Sequence, residues 1–164
     1  MSGFNPQRGF GVYVHWPYCA RICPYCDFNV YAAKTRDTAP LFDAILKDLD
    51  GWRGRTDERV VSSIFLGGGT PSLMTGEQVS RLIAHVRGLW DVAPGAEITL
   101  EANPDDVARF AEFADAGVDR LSLGLQSLDD ERLKFLGRSH SAAQALAALE
   151  AARGRFRSIS IDMI

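Results

Sequence analysis

Outside one eight-residue window the chain has no cysteine: Cys19, Cys23 and Cys26 stand together and the rest of the sequence has none. A disulfide framework needs an even number of cysteines spread along the chain, so none is available here. No apolar run approaches the ~18 residues of a membrane-spanning helix. Met1–Gly9 lacks the charged and apolar segments of a secretory signal. Excess positive charge is missing too. With 18 Lys and Arg against 21 Asp and Glu the formal charge is −3, which excludes the basic footprint of a nucleic-acid binder. Arg153, Arg155 and Arg157 read as a local, solvated helix end. These absences leave a cytoplasmic globular chain as the expectation. Its 164 residues, 46% of them hydrophobic, suffice for one domain that buries roughly 70% of its unfolded surface.

What is present alternates between strand and helix. Phe10–Trp16 reads as a first strand and runs directly into the cysteines. A polar stretch, 29–37, leads to a helix with Pro40 in its first turn, ended by Gly51 and Gly54. Residues 62–66 form a second strand, followed by Gly67-Gly68-Gly69-Thr70-Pro71. Thr75 and Gln78 make a capping box for the next helix. Residues 97–102 form a third strand, and Asn103-Pro104 opens a helix that stops at Gly117. A fourth strand, 120–126, two further helices through Leu133 and over 141–152, and a fifth strand, 158–164, complete the series. Strands separated by single helices pair in parallel through right-handed crossovers.

Strand parity adds a second layer. Val12, Val14 and Trp16 alternate with Gly11, Tyr13 and His15; Ile98 and Leu100 with Thr99 and Glu101; Leu121, Leu123 and Leu125 with Ser122, Gly124 and Gln126; Ile159 and Ile161 with Ser160 and Asp162. A flat doubly wound sheet is apolar on both faces. One polar face implies helices outside and a functional lumen inside, with Glu101, Gln126 and Asp162 late in their strands, where β/α barrels place their active sites. The expected fold is therefore α/β, the N-terminal part of a partial β/α (TIM-like) barrel with about five parallel strands. A full barrel needs about 250 residues, so residues 1–164 are expected to be one core domain cut short at its C-terminal end.

Three thiolates spaced Cys19-x3-Cys23-x2-Cys26 can bind three irons of a cubane and leave the fourth open to a small chelating molecule. Two alternatives stay open on spacing alone. Zinc could take the three thiolates and His15, and Cys23-Pro24-Tyr25-Cys26 is also a dithiol redox tetrapeptide. The glycine run fits neither the dinucleotide pattern, because Ser72 occupies its last glycine position, nor a phosphate-binding P-loop, because no Gly-Lys pair follows. It reads either as a tight turn or as a place where backbone can approach a ligand.

Taken together, the stretches 13–19, 23–29, 67–71, 101–104, 120–127, 136–140 and Ile161-Asp162 resemble the oxygen-independent coproporphyrinogen III oxidase-like branch of the radical S-adenosylmethionine (SAM) superfamily. The oxidase has a further cysteine two residues after the third ligand. Phe28 stands there, and Asp27-Phe28-Asn29 is similar instead to the branch's heme chaperone group. The resemblance implies a [4Fe–4S] cluster on Cys19, Cys23 and Cys26, with Tyr13, Gly68 and Glu101 contacting S-adenosylmethionine. It matches Tyr25, Gly69, Thr70, Gln126, Arg138 and Asp162 to residues that the oxidase places around a second S-adenosylmethionine. The implied partners are heme or porphyrin, recipient hemoproteins and an electron donor. The alternative it implies is coproporphyrinogen oxidation. His85 is expected to be exposed and His140 to be a helix-start or loop residue, Arg138 could equally be a solvated surface arginine, and Trp16, Tyr18 and Phe28 are expected to pack around the cysteines.

Overall fold

A computed structural model of the chain describes residues 9–33 and 37–164. The reading of the N-terminal segment and of residues 34–36 in the polar stretch falls outside them. Five strands, β1 (Phe10–Trp16), β4 (Val61–Gly68), β5 (Val92–Ala102), β6 (Arg120–Gln126) and β7 (Ser158–Met163), form one sheet in the order β1-β4-β5-β6-β7. Every neighbouring pair is parallel. Between them lie α1 (Ala39–Arg53), α2 (Gly76–Leu89), α3 (Phe110–Asp115), α4 (Asp130–Phe135) and α5 (Ala142–Ala152). The architecture is the α/β one expected.

The parity holds. Val12, Val14, Trp16, Ile64, Leu66, Ile98, Leu100, Leu121, Leu123 and Leu125 join Phe42, Leu82, Val86, Phe110 and Phe113 of the helical layer in a single apolar core. Local signals account for the ends of the elements. Pro40 sits in the first turn of α1 and Gly54 caps it. Gly51, read as a terminator, is inside the helix, since a lone glycine weakens a helix by about 1 kcal/mol without ending it. Thr75 and Gln78 form the expected capping box on α2.

Three departures concern the path of the chain. β5 starts at Val92 rather than Glu97, because Pro94 and Gly95 are absorbed in a bulge where the pairing jumps from Val61↔Val92 to Ser63↔Glu97. The segment after Asn103 begins as a 3-10 turn, Pro104–Arg109, before α3. The cysteine segment carries its own two-stranded ladder, β2 (Tyr18–Cys19) with β3 (Tyr31–Ala32). Its flanking bonds, Tyr31 N–H to Pro17 O (2.8 Å) and Ala33 N–H to Cys19 O (2.9 Å), close the cysteine loop at its base.

A thiol-rimmed cleft at the carboxyl ends of the strands

The polar face of the sheet opens into a cavity of ≈730 Å³ at the carboxyl ends of β4 to β7. Every residue that the resemblance assigns to the cluster or to S-adenosylmethionine lines it, apart from Tyr13. Tyr13 stands beside it: its hydroxyl is 3.1 Å from His15 Nδ1 and its ring is 6.0 Å from that of Phe65, which lines the cavity.

The three cysteines are free thiols at one side of this cleft, Cys19 buried and Cys23 and Cys26 half-buried. A turn closed by Cys26 N–H to Cys23 O (3.0 Å) sets the last two. Burial pushes the Cys19 thiol up most. Nearby Cys26 and Cys23 push in the same direction, and a hydrogen bond with Thr70 opposes them. Thr70, matched from the sequence to a nucleotide contact, thus also touches a cysteine.

The glycine run is built against this loop. Gly69 N–H donates to Trp16 O (2.6 Å) and Thr70 N–H to Tyr18 O (2.8 Å). Gly68 N–H donates to Glu101 Oε2 at 3.0 Å. These amides are committed within the chain, so the turn does not work like a phosphate-binding loop, whose free N–H groups face the anion. Gly68 has φ +111, and a Cβ there would lie 2.5 Å from His15 Nδ1; one on Gly69 would lie 3.0 Å from Cys19 Sγ. Only glycine lets β4 end this close to the cysteine loop.

His15 is occupied on both sides, by Tyr13 and, at Nε2, by Asn29 O at 3.0 Å. It ties the loop to β1 and is not turned toward the thiols, so the expectation of zinc on His15 loses its fourth ligand. Among the described residues no three His, Cys, Asp or Glu side chains converge where one metal ion could sit. A single zinc at a metal–sulfur distance of about 2.3 Å draws its sulfurs to about 3.8 Å of one another. A cubane gives each thiolate its own iron and accepts a wider spread. Three separate thiols around the edge of an open cleft fit the second arrangement.

The opposite wall is acidic and hydroxyl-rich. Burial raises the Glu101 carboxyl above the ordinary range; the Gly68 N–H lowers it, Asp162 adds a raising effect and His15 a lowering one. The Ser122 hydroxyl donates to Asp162 (3.4 Å) and accepts from Ser160 (2.9 Å). Ser160 in turn accepts from Arg120 Nη2 (3.1 Å), whose Nη1 meets Glu97 Oε1 at 2.9 Å. Gln126 adopts φ 68 at the β6 terminus, where the pairing with β7 slips between Gly124 and Gln126.

Arg138 is not a solvated surface arginine. Its guanidinium donates to Asn103 Oδ1, to Gly124 O (3.0 Å) and to Cys23 Sγ (3.5 Å). His140 is buried, with Nε2 3.0 Å from Leu125 O, and His85 bridges α2 to α1 through Leu46 O (3.2 Å) and Asp50 (2.9 Å). His85 is thus half-buried rather than simply exposed, whereas His140 does lie in the loop between α4 and α5, as expected, and is buried there. Trp16 is fully buried and Tyr18 packs edge-on against it, whereas Phe28 is 60% exposed and lines the cavity together with the three cysteines.

Sequence reading missed Asn103 as a site residue. It registered only as a helix cap, although its place two residues after Glu101 puts it at the same sheet end. Arg120, Ser122 and Ser160 were legible as polar-face residues, but their linkage was not. Arg21, which donates to Gly137 O at 3.1 Å, left no signal because its partner is 116 residues away.

A model of the radical SAM superfamily matches residues 13–164. The chain belongs to this superfamily. It is 43% identical over 159 residues to the heme chaperone HemW of Escherichia coli, covering 93% of this chain and 42% of that protein. To the bovine mitochondrial radical S-adenosyl methionine domain-containing protein 1 it is 42% identical over 156 residues, covering 93% and 35%. Among solved structures, Escherichia coli coproporphyrinogen III oxidase (HemN), a radical SAM enzyme, superposes with a TM-score of 0.85 at 29% identity over 97% of this chain and 38% of that one. The chain thus spans well under half the length of these relatives. The five-stranded parallel sheet with its helices is the radical SAM fold seen in HemN.

Proposed function

We propose that residues 1–164 are the radical SAM core domain of a heme chaperone of the HemW type, working in the cytoplasm and handing heme to recipient hemoproteins. The observation that carries this reading is the cleft itself. Three free thiols stand at one side and Glu101, Gln126 and Asp162 at the strand ends. In this reading Cys19, Cys23 and Cys26 hold a [4Fe–4S] cluster, and Tyr13, Gly68 and Glu101 hold S-adenosylmethionine beside it. When bound, that pair supplies one-electron reduction of the sulfonium, with the electron coming from a separate donor protein.

The chain's own residues supply position and environment. Glu101 offers a carboxylate to an ammonium group, and Gly68 fixes one of its oxygens. Tyr25, Gly69, Thr70, Gln126, Arg138 and Asp162 provide the acceptors, donors and close backbone that a nucleoside needs, whether for one S-adenosylmethionine or two. Phe28 supports the chaperone over the oxidase, because it stands where the oxidase branch has a further cysteine. The similarity to HemN keeps coproporphyrinogen decarboxylation as the second reading.

Anaerobic reconstitution of the chain with iron and sulfide is expected to give iron–sulfur absorbance and, after reduction, an electron paramagnetic resonance signal. Both are expected to vanish in Cys23→Ala. Stoichiometric zinc in place of iron would sink the cluster. In the full-length protein, heme titration is expected to show binding and coproporphyrinogen to be left intact; decarboxylation at a useful turnover overturns the chaperone reading.

A further inference from the structure

The segment that follows α4 reaches back to the cysteine loop from the far side of the sequence. Arg21 of the loop donates to Gly137 O at 3.1 Å. Gly137 sits at φ +69, and a Cβ there would come within 2.9 Å of Pro24 Cδ, so the Gly137 backbone packs on the Pro24 ring at a distance that favours glycine. The next residue, Arg138, aims Nη1 at Cys23 Sγ, 3.5 Å away. Its Nη2 is held between Asn103 Oδ1 at the end of β5 and Gly124 O in β6. The guanidinium is therefore fixed by two strands of the sheet and directs a charge-assisted donor at one thiol of the three.

We propose that Arg138 is a positioning residue for the iron–sulfur cluster, donating a hydrogen bond and a fixed positive charge to Cys23 Sγ and so raising the reduction potential of the bound cluster. The proposal rests on the reading of the three cysteines as cluster ligands. Its physical basis is general. Reduction adds one negative charge to a cluster–thiolate unit, and a donor or cation at a ligating sulfur stabilises the more negative state. The position of the charge is set by the protein rather than by solvent, because Asn103 and Gly124 anchor the same guanidinium. Arg138 Nε is buried and makes no hydrogen bond, so the side chain stays in the cleft wall without being fully satisfied there. Packing alone does not explain such an arrangement.

The test is an anaerobic redox titration of reconstituted protein without S-adenosylmethionine, followed by electron paramagnetic resonance, with iron content measured on each sample. Arg138→Gln, which removes the charge, is expected to lower the reduced-to-oxidised ratio at a given potential about tenfold, equivalent to about 59 mV for one electron. Arg138→Lys, which keeps the charge and loses the fork, is expected to recover part of that shift. Should Arg138→Gln retain too little iron to titrate, Asn103→Ala serves instead. It keeps the charge but frees it from its anchor, and a smaller shift in the same direction is expected. A cluster that assembles in these variants with an unchanged or raised potential overturns the role of Arg138. Failure of the unsubstituted chain to assemble any cluster instead overturns the reading of the cysteines.

Discussion

Glu101 shows how one residue serves two demands at once. It must end β5 inside the cleft to be useful, and burial there opposes its ionised form. Gly68 N–H offsets that effect only in part, so the carboxyl stays above its ordinary range. The folded chain then holds this proton to higher pH than the unfolded chain does, so stability is lost as pH rises from the ordinary glutamate value through the raised one. Glu101→Gln keeps an acceptor for Gly68 and has no proton to lose. In urea melts at several pH values its stability relative to the unsubstituted chain is expected to improve from pH 4 to pH 8. A trend in the opposite sense would mean that Glu101 is stabilised as an anion.

At the scale of elements, the turn that bears the glycines is braced from beneath by one side chain. Arg109, in the 3-10 turn after β5, donates to the carbonyls of Ser72 and Met74 and pairs with Glu112. Glu112 also accepts from Gly76 N–H at 3.1 Å, at the start of α2. Asp106 of the same turn accepts from the Ser72 hydroxyl at 2.6 Å and from Asn103 N–H at 3.0 Å. The loops after β4 and after β5 are thus one unit, and both feed the cleft. Arg109→Ala removes the donor to two carbonyls and leaves Glu112 with Gly76 N–H alone. It is expected to lower stability by about 2–3 kcal/mol, read as a drop in urea midpoint at constant slope.

Across the whole molecule, the sheet is well covered in the middle and poorly at β7. α5 packs mainly against the 3-10 turn after β5 and against β6. As a result Ile161, on the helix side of the sheet, is 43% exposed, whereas its neighbour Leu123 is fully buried. A strand with exposed apolar residues and an unpaired edge is a template for association. The 164-residue chain is expected to associate with rising concentration in sedimentation velocity runs, and Ile161→Lys to suppress this without changing the helical circular dichroism signal. Equal association in both forms would place the contact elsewhere.

Much of this protein was legible in its residues. Alternation of apolar and polar positions in β1, β5, β6 and β7 determined the core face, because a strand has a period of two whatever it pairs with. Caps at Thr75 and Gly54 and the turn at Gly67–Pro71 determined where elements change, because those signals act over three or four residues. The family's run of motifs brought the cysteines, Glu101, Gln126 and Asp162 into one candidate site, and the fold gathers them in one cleft. Only the tertiary structure decided which partners meet across long stretches of chain. It decided between the two readings of Arg138 by setting it against Cys23, turned His15 away from the thiols toward Asn29, left Phe28 exposed and enlisted Asn103. Side-chain pairs separated by tens of residues have no periodicity to betray them. They exist only once parallel strands have brought their carboxyl ends to the same edge.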